Sequence, residues 1–429
     1  MAQLALKGGR AVRSSDFHKW PVFDHHEEKA VLEVIQSGKW WRYSFGEGVN
    51  FHEPGVGERS RVALFQEAFA AHQGARFGVA CSSGTAALDM AIRALDIGPG
   101  MEVIVPAYTF VAGATCIMQS DAVPVFVDID PQTYNLDPDR VEEAINENTR
   151  AVIPCHFGGQ VADMDRLMEI GRKHGIDIIE DAAHAHGARW RSKGAGTMGV
   201  CGTFSFQNSK NMTAGEGGIV ITDNEQLASR IESLTWSGRK PGRPWYEYHE
   251  LGWNYRLTEM QGALLSVQLR RLEDQNRRRR ENASHLDMLL EDIDGLKPVT
   301  IDKRAEIWSV HLYMIRYDPE KFRGLRRDRF VEAVNAEGIP LFGGYPHPLY
   351  KNPMFSHREF PGGKYSIQIS FIKGLLDYES FEKRCPVAER ACAHEALWLE
   401  QRLFLGSKRD MEDIASGFRK VQEHVDEIL

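Results

Sequence analysis

The 429-residue sequence has no Cys-x-x-Cys pair, no long unbroken apolar run and no excess of positive charge. Its six cysteines, Cys81, Cys116, Cys155, Cys201, Cys385 and Cys392, are scattered, so neither a zinc ligand set nor a disulfide framework is indicated. The longest apolar stretch, 103–118, contains Pro106 and falls short of the about 18 to 20 residues that a spanning helix needs, so it reads as buried core. The opening residues, MAQLALKGGRAVRSSDF, lack the apolar segment of a secretory leader, and a reducing cytoplasm is the expected location. Lys plus Arg number 52 against 60 for Asp plus Glu, a net charge of −8. That balance gives no reason to expect nucleic acid or an anionic membrane as partner. Small-molecule chemistry is what remains.

The length allows two domains at roughly 100 to 200 residues each. Residues 1–60 read as an arm and a loop, with a short amphipathic helix at 27–36 and an irregular segment at 43–58 that holds four glycines and a proline. From 61 to about 275 the pattern is α/β. Strands are expected at 77–80, 102–105, 123–128, 149–154 and 177–181, and helices at 63–72, 137–146 and 163–174. Strands alternating with helices imply a mostly parallel, doubly wound sheet. A long helix is expected at 258–291; its Arg277–Arg280 run is flanked by Glu273, Asp274 and Glu281 and reads as a solvated face. From 276 onward a strand-like stretch at 307–316, a helix at 327–337, a proline-rich loop and a final helix at 410–426 suggest a smaller α+β domain.

Chemistry concentrates in residues 202–218, GTFSFQNSKNMTAGEGG. The β-formers Thr203 to Phe206 give way to polar residues, so Lys210 sits just beyond a strand end, where sites on α/β sheets lie. A lysine presented this way can form a Schiff base with pyridoxal phosphate, a cofactor that also needs a pyridinium partner and a phosphate cradle. Ser83, Gly84 and Thr85, before an alanine-rich helix, would offer amides and hydroxyls to a dianion; an ordinary helix cap is the alternative. Asp181 ends an apolar strand, placed either to pair with a pyridinium N–H or to cap the following turn. Phe110 could stack on a flat ring or pack in the core. Ser205, on the strand leading to Lys210, is a second phosphate candidate. His184 could meet the cofactor hydroxyl; with His186 it lacks a further ligand, and no metal site is expected. A Gly-x-Gly-x-x-Gly string at 194–199 follows a charged segment and precedes a strand, which rejects it as a dinucleotide fingerprint.

Six motifs occur in order: SSGTAAL at Ser82, VPAYTF at Val105, HFGGQVADMD at His156, EDAAHAHG at Glu180, SFQNSKNMTAGEGG at Ser205 and LGWNYRLTEMQ at Leu251. With these the chain resembles the DegT/StrS-type sugar aminotransferases, pyridoxal-phosphate enzymes of the aspartate-aminotransferase fold (fold type I). The resemblance implies that Lys210 carries the cofactor and moves the proton, that Asp181 pairs with the ring nitrogen, that Phe110 stacks on the ring and that His184 lies near its hydroxyl. It further implies that Gly84, Thr85 and Ser205 hold the phosphate. Asn254 would reach the phosphate of the neighbouring subunit's cofactor, with Arg256 close to substrate, making a homodimer obligatory. Relatives that dehydrate sugars carry histidine at the lysine position, and Lys210 therefore favours transamination. Trp40-Trp41-Arg42 and WLEQRLFLGS at Trp398 are most similar to the branch of scyllo-inosose aminotransferases and 3-amino-5-hydroxybenzoate synthases. The implied activity is amino transfer from glutamine or glutamate to a keto-cyclitol or keto-sugar. Alternatives are a synthase-like dehydration and a non-catalytic regulatory role. The 43–58 loop is longer than the resemblance leads one to expect and falls where a substrate would be covered.

Overall fold

The computed structural model describes residues 3–45, 59–356 and 378–429; most of the glycine-rich 43–58 loop lies outside them. Five strands, β1 (Phe77–Cys81), β2 (Glu102–Pro106), β3 (Val123–Val127), β4 (Thr149–Val152) and β5 (Asp177–Asp181), alternate with helices. The helices are α1 (His25–Ser37) and α2 (Arg61–Gln73) before β1, then α3 (Gly84–Ala94), α4 (Ala112–Gln119), α5 (Pro138–Ala144) and α6 (Met164–His174). A short ribbon, β6 (Arg189–Trp190) and β7 (Lys193–Gly194), precedes β8 (Cys201–Ser205) and β9 (Gly218–Thr222). The main sheet has the order β1-β9-β8-β5-β4-β2-β3, all parallel except β9. Strands such as EVIVP and VPVFV are buried along their whole length because helices cover both faces. The apolar run at 103–118 divides into β2 and α4.

The C-terminal ends of β1, β8 and β5 reach the same edge of this sheet, with Cys81 and Ser205 both opposite Gly218 and Asp181 opposite Thr203. Every loop leaving that edge is therefore within reach of the others. After β9 come α7 (Glu225–Thr235) and α8 (Glu259–Leu290), the latter opened by a Thr258–Gln261 capping box. A second core surrounds the antiparallel strands β10 (Leu296–Pro298), β11 (Leu312–Tyr317) and β12 (Ala396–Glu400), with α9 (Arg327–Ala336) and the C-terminal helix Lys408–Glu423 packed on them. Leu4 and Phe17 of the N-terminal arm enter this second core. Among the described residues no helix is long and apolar enough to cross a membrane.

Two sequence expectations are corrected here. The strand-like stretch at 307–316 becomes a strand only at Leu312, because Val310 adopts a left-handed φ of 51° and breaks the extended run. The residues before it instead bond to a glycine turn, through Ser309 N to Gly159 O and His311 N to Gly158 O. The Arg277–Arg280 run is not a uniformly solvated face. Arg279 is wholly buried, on the stripe Leu272, Asn276, Arg279, Ala283, Leu286 and Leu290 whose alternating 4- and 3-residue spacing follows the helix period. Charge alone does not reveal this; the register of α8 does.

Candidate active site

At the shared sheet edge lies a cleft of about 810 Å³ that brings together Gly84, Thr85, Phe110, Asp181, His184, Ser205 and Lys210. The N-terminus of α3 forms one wall. Ser83 caps it by accepting from the amide of Ala86, while Gly84 and Thr85, as the first helical residues, carry amides without intrahelical acceptors. Gly84 packs directly on β8, where a Cβ would fall 2.7 Å from the Ser205 Cβ. Amides, two hydroxyls and a helix dipole thus converge on one point, the chemistry a phosphate needs.

Lys210 follows β8 in a turn held by its amide donating to Gln207 O. Burial pushes its ammonium down to about 8, an effect partly opposed by the charge of Asp181. Burial acts in the other direction on Asp181 and raises its carboxyl above the usual range. One of its oxygens accepts from the amide of Ala183, so the turn-capping reading holds, while the second has no protein partner among the described residues. A buried carboxylate with an open oxygen suits a cationic N–H partner. Phe110 remains 59% exposed, an apolar face presented to the cleft and not packed in the core. His184 is buried with Nδ1 unpaired among the described residues, and its ring lies 4.2 Å from that of His311. Burial and the neighbouring Lys210 keep His184 neutral. This donor set fits pyridoxal phosphate.

The Gly-x-Gly-x-x-Gly string has a different use. The amides of Gly196, Met198 and Gly199 donate to the carboxylate of buried Glu180 at 2.7, 2.6 and 2.7 Å, and His156 Nε2 lies 2.8 Å from it. The loop is an anion cradle for an internal carboxylate one residue before Asp181. His186 turns away from the cleft to the carbonyl of Ser205.

Asn254 and Arg256 do not line this cleft. Their segment runs alongside the ends of α7 and β1, through bridges Trp236–Asn254 and Cys81–Arg256 and a bond from Ser82 N to Tyr255 O. Asn254 is exposed, and Arg256 Nη1 is buried without a partner among the described residues. Other cleft residues carried no readable sequence signal: Trp20 from the arm, His311 after the Val310 break, Tyr345, and Trp398, Glu400 and Arg402 at the end of β12. Of these only the Trp398 segment lay in a motif, and there by resemblance.

The chain is similar to several named aminotransferases and to a synthase. A Streptoalloteichus tenebrarius relative, provisionally named an L-glutamine:3-amino-2,3-dideoxy-scyllo-inosose aminotransferase, is 39% identical over 99% of both chains. The L-glutamine:2-deoxy-scyllo-inosose aminotransferase of Streptomyces paromomycinus is 37% identical over 98% of both. The crystal structure of 3-amino-5-hydroxybenzoic acid synthase superposes with a TM-score of 0.84 at 32% identity, covering 96% of this chain and 100% of that one. Residues 56–370 match the model of the DegT/DnrJ/EryC1/StrS aminotransferase family. The chain therefore belongs to that family, as an aminotransferase of fold type I whose cofactor is pyridoxal phosphate.

Proposed function

We propose that this enzyme is a cytoplasmic homodimer that transfers an amino group from glutamine or glutamate to the ketone of a cyclitol or sugar. Residues 61–275 form its cofactor-binding unit and 276–429 a smaller one. The observation that carries the reading is the meeting of Lys210, Asp181 and the Gly84–Ser205 contact at one sheet edge. When bound, pyridoxal phosphate supplies an electron sink for the bond electrons released at the donor's α-carbon. Asp181 pairs with the ring nitrogen and keeps it protonated. Lys210 Nζ, depressed to about 8, accepts and returns the α-proton near neutral pH. Gly84, Thr85 and Ser205 hold the phosphate, Phe110 covers one ring face and His184 meets the ring hydroxyl. Asn254 and Arg256, outside their own chain's cleft, serve the cleft of the second subunit. The glutamine-dependent scyllo-inosose relatives, matched over nearly their full lengths, support the donor and the acceptor class.

The test is an absorbance spectrum of the holoenzyme before and after adding glutamine without a ketone. Conversion of the visible cofactor band to that of the aminated form is expected. Likeness to 3-amino-5-hydroxybenzoate synthase supports a second reading, elimination of water from an amino ring. A band that no amino donor changes, with water released from such a ring, would replace the first reading with the second.

A further inference from the structure

Asn211, the residue after Lys210, is buried, and its side chain meets Ser309, Asn276 and His311. Asn211 Nδ2 donates to Ser309 O at 2.5 Å and to Asn276 Oδ1 at 3.3 Å. Neither partner has a proton to give. Ser309 offers a backbone carbonyl. Asn276 presents its oxygen because Arg279 Nη1, which can only donate, lies 2.8 Å from it, while Asn276 Nδ2 donates to His186 O at 2.8 Å. The Asn211 amide therefore has one orientation, and its oxygen faces His311 Nδ1 at 3.1 Å.

An amide oxygen can only accept, so His311 carries its proton on Nδ1, and in the neutral ring Nε2 is left as a bare lone pair. Burial, and then the neighbouring His184, Lys210, His186 and Arg279, hold the ring well below the usual imidazole range and keep it neutral. The backbone is pinned on both sides, His311 N donating to Gly158 O at 2.9 Å and His311 O accepting from Gln401 N at 3.1 Å. The ring lies 4.2 Å from that of His184 and lines the cleft, and its Nε2 has no protein partner among the described residues.

We propose that Asn211 is a positioning residue that holds His311 in the Nδ1–H tautomer, and that His311 Nε2 accepts a hydrogen bond from a hydroxyl of the acceptor ring. This rests on the aminotransferase reading above. The ligand class follows from charge. The permanent cations that act on His311, Lys210 and Arg279, surround its lone pair with positive charge, which repels an ammonium and leaves an uncharged O–H free to approach. A cyclitol or sugar offers hydroxyls around its ring, whereas glutamine and glutamate carry none. The proton that Asn211 fixes on Nδ1 thus decides that the cleft meets a hydroxyl with an acceptor at this corner and not with a second donor.

The experiment has two readouts on wild-type holoenzyme, Asn211→Leu and His311→Phe. Solid-state nitrogen NMR of protein carrying isotope-labelled histidine reads the tautomer, with His311→Phe assigning the His311 signals. Absorbance follows the two half-reactions, amination by L-glutamine and return with 2-deoxy-scyllo-inosose. Wild type is expected to show a neutral His311 protonated on Nδ1, and Asn211→Leu to bring up the Nε2–H form. Both variants should raise the half-saturating concentration of 2-deoxy-scyllo-inosose about fivefold more than that of L-glutamine, the worth of one neutral hydrogen bond. A wild-type His311 protonated on Nε2, or an Asn211→Leu spectrum that keeps the wild-type tautomer, would overturn the positioning role, and the wild-type spectrum decides this even if a variant fails to fold. Equal losses in the two half-reactions would overturn the hydroxyl contact. A wild type that L-glutamine and L-glutamate both leave unchanged would instead sink the aminotransferase reading, with the tautomer still measured.

Discussion

Residue 84 has no room for a side chain: a Cβ there would stand 2.7 Å from the Cβ of Ser205 and 3.1 Å from its hydroxyl oxygen. The contact joins the N-terminus of α3 to the end of β8, and it sets the width of the proposed phosphate cradle. Gly84→Ala must push these apart. We expect pyridoxal-phosphate affinity to fall by about tenfold, the worth of one lost charge-assisted hydrogen bond, with the protein still folded. Absorbance titration of the apoprotein, with circular dichroism as control, checks this.

Lys210 titrates at about 8 against 10.5 when unfolded, so between those values the unfolded chain binds the proton and the folded chain does not. The cost of burying this ammonium is full below about pH 8 and fades as pH rises towards 10.5. Lys210→Met should therefore stabilise the apoprotein at pH 7, with a ceiling of about 3 kcal/mol, and the advantage should shrink above pH 8. Urea denaturation of both apoproteins at pH 7 and pH 10 measures it. The same variant is expected to show no turnover.

The charge of Asp181 opposes the effect of burial on Lys210. Asp181→Asn removes it, so the lysine should lose its proton at still lower pH. The pH midpoint for covalent capture of the cofactor by apoprotein should move below that of wild type. A midpoint that stays put would show that the two groups do not sense each other.

If Asn254 completes the second subunit's site, two defective chains can repair one another. A Lys210→Ala chain supplies an intact Asn254, and an Asn254→Ala chain an intact Lys210. Each mixed dimer then holds one complete site, and random re-association should restore about a quarter of wild-type activity. Mixing the purified variants after mild dissociation tests this, and no recovery would count against shared sites.

Glu180 accepts three backbone amides and faces His156 with no solvent contact. Replacing it by leucine leaves those amides without their acceptor. A loss of at least about 3 kcal/mol is expected, read by denaturation, with Glu180→Gln losing less because its carbonyl keeps some of the bonds.

Much of this architecture can be read before any coordinates. The strands β1 to β5 are short apolar runs mostly bounded by turn signals and helix patterns, which locates them, although α4 is hidden in the apolar run 103–118; Lys210, Asp181 and Gly84 become candidates because strand ends are where an α/β sheet presents its chemistry. Arg279 could not be read, since a buried guanidinium and a solvated one look alike until helix register is known. It is satisfied by Gln401 and Asn276, with no carboxylate at hand among the described residues, and burial lowers it to about 9. His311 and Arg402 were equally hidden. Each reaches the cleft through contacts distant in sequence, and although Arg402 lies in the WLEQRLFLGS segment, nothing in that string marks it as a cleft residue. The flanks of the Gly-x-Gly-x-x-Gly loop speak against dinucleotide binding, but only the structure supplies its anion, which is the protein's own Glu180.

Glu180 and Asp181 are sequence neighbours with opposite destinations, one sealed in its amide cradle and the other facing the cleft. Because a strand alternates sides at every residue, sliding β5 by one residue would bring Glu180 to the cleft position and Ile179 to the cradle, leaving three amides without an acceptor. The cradle therefore fixes the register of β5, and with it the residue that the sheet presents to the cleft.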